Sequence, residues 1–141
     1  MWMRRDLPGG FELDDDPRRI DRAEVHRFIS EESYWAKGRS RELMDALLDG
    51  AARVVGLYTE GRLVGFSRTI SDEHTQSYLA DLYVLPEFRG SGLGVELVRF
   101  TVDEGPLAHT KWLLHTRDAH ELYRKFGFET PTEKLLERGS R

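Results

Sequence analysis

The six residues Arg89, Gly90, Ser91, Gly92, Leu93 and Gly94 put one cation and three glycines behind the apolar run 77–85 and ahead of a second apolar run from Val95. Glycine gives up more backbone freedom on folding than any other residue, so three together call for a use. Between a strand and a helix, glycines let bare amides approach a ligand. The first amides of a helix are unpaired and partly positive, which makes the junction a phosphate site. Arg89 adds a donor fork suited to phosphate. The plainer reading is a tight turn with a surface arginine. The arginine, the strand before and the amphipathic helix after it favour the anion site. A Walker loop would need Gly-Lys-Ser/Thr, but Val95 and Glu96 follow Gly94. A dinucleotide fingerprint would need a glycine at Val95 and repeating βαβ units, and neither is present.

Other chemistries find less support. There is no cysteine, so thiolate metal sites, disulfides and cysteine nucleophiles are excluded. The five histidines, at 26, 74, 109, 115 and 120, show no metal-ligand spacing. His115 and His120 flank a turn, where solvation or a cofactor contact fits them better. No Gly-x-Ser-x-Gly elbow exists for a serine nucleophile. The acidic run 14–16 reads as a solvated face or turn.

These residues need elements to hold them. Residues 11–16 read as a strand. Residues 21–32 read as a helix capped by Asp21, and 41–50 as a second helix stopped by Gly50. The loop 33–40 between them carries Tyr34 and Trp35 beside Lys37, Arg39 and Arg41. Residues 52–59 and 62–71 form a hairpin around a Glu-Gly turn. A third strand covers 77–85 and stops at Pro86. Then come a helix over 92–104, a strand over 111–116, and a short helix over 118–126 capped by Asp118 and ended by Gly127. The tail offers two short strands, "FET" and "EKLLER", the second of which reads equally as a helical turn. Strand–helix–strand from 77 to 116 gives a parallel crossover within a mixed sheet. The fold class is α/β (α+β), in a single domain over residues 1–141.

The pattern Arg-x-x-Gly-x-Gly, with "LYVLPEFRG" leading in, resembles motif A of the GCN5-related N-acetyltransferases, the GNAT family. Downstream, "AHELYRKFGF" is similar to that family's motif B through Ala119, Leu122, Tyr123, Lys125, Gly127 and Phe128. The resemblance spans about 11–135 in the order of elements and is sharp from 79 to 128. It implies a mixed, mostly antiparallel sheet flanked by helices, with one parallel pair of strands that splay apart.

It also implies acetyl-CoA as cosubstrate and an amine of a small molecule or peptide as acceptor. The pyrophosphate would lie on the amides of Gly90, Ser91, Gly92, Leu93 and Gly94, flanked by Arg89. The pantetheine arm would pair with the backbone of Leu82, Tyr83 and Val84, one of whose amides would polarise the thioester carbonyl. Tyr123 matches the tyrosine that often protonates the departing thiolate. A phenol keeps its proton at neutral pH, as that role requires. The plainer role for Tyr123 is in the core. Thr116 stands where many members carry asparagine, and a threonine can still bond a cofactor amide or a helix end. Asp81 is a candidate base for the amine; an exposed strand aspartate is the equal alternative. Tyr34 and Trp35 would wall the acceptor side, or Trp35 would plug a small core under its loop. A non-catalytic acyl-CoA sensor is the rival function.

The net charge of −4, from 21 basic and 25 acidic residues, argues against a nucleic-acid partner. The N-terminal stretch "MWMRRDLPGG" has no apolar run long enough for a signal peptide or a membrane span. A cytoplasmic setting fits the absence of cysteine, and a homodimer fits the family's habit.

Overall fold

The computed structural model describes residues 1–140. Six strands form one sheet in chain order: β1 (Arg4–Leu7), β2 (Phe11–Asp14), β3 (Arg53–Thr59), β4 (Arg62–Ser71), β5 (Gln76–Val84) and β6 (Lys111–Leu114). Every neighbouring pair is antiparallel except β5 and β6. The fold class expected from the sequence is the one observed. The β3–β4 turn uses Glu60 and Gly61, both at positive φ, as a two-residue hairpin turn requires.

Helices α1 (Arg22–Glu32) and α2 (Arg41–Asp49) lie between β2 and β3 in the chain. Asp21 and Ser40 cap them through the amides of Glu24 and Leu43. Their apolar stripes, Val25, Phe28, Ile29, Met44 and Leu48, are buried in the main core. Phe28 stacks on Tyr83 of β5 with ring centroids 3.9 Å apart. Helix α3 (Leu93–Val98) follows β5, and α4 (His120–Arg124) follows β6. Leu79, Val98, Val102 and Tyr123 form a second cluster that binds α3 and α4 to the sheet. Among the described residues, no helix is long and apolar enough to cross a membrane.

The structure departs from the sequence pattern at several places. Strand β1 was not foreseen, because "RRDL" is an exposed edge with one apolar residue. Strand β2 stops at Asp14 rather than residue 16, since the Asp14 carboxylate accepts from the Asp16 amide. The acidic run is no solvated face: Asp14 and Asp15 are buried, and Asp15 pairs with buried Arg53 at 2.9 Å. The long helix after the glycine loop is α-helical only to Val98 and continues as a π-helix over Arg99–Asp103. There the Arg53 guanidinium donates to the carbonyls of Phe100 and Thr101 at 2.8 and 3.0 Å, occupying acceptors that the wider turn presents. Asp118 does not cap α4. Ala119 holds the cap position, and its amide donates to the Thr116 hydroxyl. The tail segments expected as strands form none; 129–140 has no regular element.

Candidate active site

The β5–β6 ladder runs only from Gln76–Lys111 to Leu79–Leu114. Beyond it β5 continues to Val84 while β6 ends, so the strands part. A bulge at Ala80 sits where they separate: Thr69 opposes Leu79 and Arg68 opposes Asp81, leaving Ala80 unmatched. Leu79 packs with Val98 and Tyr123, whereas Tyr83 stacks on Phe28 across the sheet. The bulge therefore turns Asp81 and Tyr83 toward α1 and its following loop.

Into this parting opens a cleft of about 880 Å³. Its walls bring together Tyr34, Trp35, Leu82, Tyr83, Val84, Arg89, Gly94, Thr116 and Tyr123. Asp81 is not among them.

Bonding direction alternates along an antiparallel ladder. The Leu85 amide donates to Val64 of β4. Two residues back, Tyr83 likewise spends its amide on β4, so it is not free for a cofactor. What Tyr83 offers the cleft is its ring. The amides of Leu82 and Val84 face the parting. The Val84 carbonyl already accepts from the Arg89 Nε at 2.8 Å, which fixes Arg89 against the strand end.

At the far end lies the glycine loop. Gly90 and Gly92 sit at φ +91° and +86°, which ordinary residues avoid. Gly94 has no such constraint, and a Cβ built on it meets nothing within 4 Å. The fold alone gives no reason for glycine there, although a ligand lying on the backbone would. Gly92 caps α3 without a side-chain bond, so the amides of Leu93 and Gly94 point outward unpaired. This open, donor-lined end fits an anionic group such as a phosphate.

Tyr123 is buried, and burial pushes its phenol up to about 12, with lesser help from Tyr34 and Asp118. The group therefore keeps its proton at neutral pH. Thr116 is turned to the end of α4. Tyr34 accepts from the Arg117 amide and carries the Arg117 guanidinium 3.9 Å above its ring.

Asp81 does not suit the role of base. It is 1% exposed, and both oxygens are taken: Oδ1 by the Trp35 indole at 2.7 Å, Oδ2 by Arg39 at 3.0 Å and Arg68 at 2.7 Å. Burial raises its pKa, but Arg68 and then Arg39 outweigh that and leave it below the usual carboxylate value. A carboxylate so held is a poor proton acceptor. It ties the 33–40 loop to the sheet instead, and Trp35 is bound through it rather than plugged into a core. The sequence carried no signal for this cluster, which joins four residues from three segments.

Comparison with known proteins gives the class of molecule. The family model "Acetyltransferase (GNAT) domain" matches residues 50–130. A solved structure from Xanthomonas campestris pv. campestris, assigned to the GNAT family of acetyltransferases, is 33% identical over 96% of each chain, with a TM-score of 0.88. The chain belongs to the GNAT family and is an N-acetyltransferase. Two further structures share the fold. One, described as an acetyltransferase, is from Deinococcus radiodurans R1: 23% identical, 96% of this chain and 94% of that one, TM-score 0.73. The other is an aminoglycoside acetyltransferase from a soil metagenome, solved with sisomicin: 14% identical, 96% and 99% covered, TM-score 0.64. No functionally curated protein matches the chain in sequence.

Proposed function

We propose that this protein moves an acetyl group from acetyl-CoA to a primary amine of a small molecule or peptide by direct attack. The observation that carries the reading is the cleft at the β5–β6 parting, with free amides at one end and a buried, protonated phenol in its wall. Acetyl-CoA supplies the acyl group as a thioester. Leu93, Gly94 and Arg89 would hold its phosphates. The Leu82 and Val84 amides would face its arm, and either could donate to a carbonyl oxygen that gains charge. Tyr123 holds the proton that a departing thiolate needs. Tyr34 and Trp35 wall the acceptor side. A cytoplasmic setting suits this cosubstrate and a chain without cysteine.

Calorimetric titration with acetyl-CoA tests the first half, and micromolar binding is expected. Thiol release with a panel of amines tests the second: sisomicin, spermidine, phenethylamine and a tripeptide with a free N-terminus. No binding at millimolar acetyl-CoA would overturn the reading. Binding without turnover on any amine would leave a sensor of acyl-CoA in its place.

A further inference from the structure

With Asp81 locked away, another group must take the proton that an alkylammonium loses before it can attack. Amines of that kind have a pKa near ~10, so the charged form dominates at neutral pH. A second side-chain chain enters the same cleft. Tyr78 and His115 both line it. The Tyr78 hydroxyl bonds to His115 Nδ1, and His115 Nε2 bonds to the Glu137 carboxylate. Leu79 packs toward Tyr123, so strand alternation turns Tyr78 to the other face of the sheet.

We propose that Tyr78, His115 and Glu137 form the path by which the acceptor ammonium is neutralised, resting on the acetyl-transfer reading above. A carboxylate can only accept, so His115 gives Glu137 its Nε2–H and leaves Nδ1 as an acceptor for the Tyr78 O–H. The ammonium passes a proton to the Tyr78 oxygen while Tyr78 passes its own to Nδ1. The amine is left neutral, and the imidazolium is held by Glu137. His115 then returns the proton to solvent, so one proton leaves the ammonium and one reaches water. Tyr78 touches the amine; His115 and Glu137 act through it.

The surroundings support this direction of transfer. Burial raises the Tyr78 phenol pKa, Glu137 and Asp81 add to the effect, and Arg68 opposes it. The phenol thus stays protonated and donates to His115. The charged groups around the path are Glu137 on the tail, and Asp81 of β5 and Arg68 of β4 near Tyr78. A stability role explains the arrangement poorly. The His115 and Glu137 side chains are 64% and 67% exposed, and ion pairs that open to water add little to stability.

Imidazole nitrogen NMR on the full chain tests the path without any acceptor. The expected spectrum shows His115 as the Nε2–H tautomer. That tautomer preference should be lost in Glu137→Gln and recover in Glu137→Asp. Kinetics on the panel amine that the wild type acetylates fastest form the second readout. Tyr78→Phe and His115→Gln should each lower kcat about 100-fold, as loss of a positioned proton acceptor does, and leave acetyl-CoA binding within about twofold. Glu137→Gln should lower kcat in the same direction, and Glu137→Asp should restore most of it. A His115 tautomer indifferent to Glu137→Gln would overturn the proposal, and so would wild-type kcat in Tyr78→Phe. Loss of acetyl-CoA binding by the wild type would sink the acetyl-transfer reading instead, so the two failures are separable.

Discussion

Tyr123 and Asp81 show how a site divides its work between residues. Both are buried, yet one is free and the other is bound on both oxygens. Tyr123→Phe should lower kcat by about 100-fold and leave acetyl-CoA affinity unchanged, because only the phenolic hydroxyl is removed. An unaltered kcat in steady-state assays would take Tyr123 out of the mechanism. Asp81→Asn should act on stability. It strands Arg39 and Arg68 beside a neutral amide, a change that typically costs about 3–5 kcal/mol, readable in thermal melts. Its pH dependence follows from the depressed pKa. The carboxylate's contribution is complete above the ordinary value near ~4 and is lost as pH falls through the lower, folded value. The gap between wild-type and Asp81→Asn melting points should therefore shrink below about pH 4. The sequence made Tyr123 visible because its neighbours lie within ten positions of it. Asp81 was misread because its partners stand 46, 42 and 13 positions away.

At the level of elements, the glycine loop separates backbone need from ligand need. Gly90 and Gly92 answer to their dihedral angles, while Gly94 answers to open space. Gly94→Glu should therefore fold well, since a carboxylate in the first helical turn is favourable. Its melting point should stay within about 2 °C of wild type, as surface changes do. Acetyl-CoA affinity should fall by more than about 100-fold, because the carboxylate would sit where phosphate belongs. Normal binding in calorimetry would move the phosphate site elsewhere. The long apolar strands and capped helices were legible from periodicity. Strand β1 and the irregular tail were not, because each carries too few apolar residues to show a period. The π-helix was also hidden, since the arginine that binds its carbonyls lies 47 positions upstream.

Across the whole molecule, the site comes from one interruption in an otherwise continuous sheet. The order of elements read from the sequence gave the parallel pair, but nothing in it marked the bulge at Ala80 or how soon the pairing ends. Hydrogen exchange tests the consequence. On adding acetyl-CoA, the amides of Leu82, Val84, Leu93 and Gly94 should gain protection. Tyr83, already bonded to β4, should change least. Equal changes at all three strand residues would mean that the ligand does not lie along β5.

A ligand gripped by Leu82 and Val84 through amides alone is gripped by atoms that every amino acid except proline carries. At these two codons, drift among apolar residues would pass unnoticed by binding. Proline would be the exception at either one, removing a donor without disturbing the ladder to β4. The strand edge is thus heritable as a shape rather than as a spelling. Chains sharing as little as 14% of their residues with this one still carry its fold.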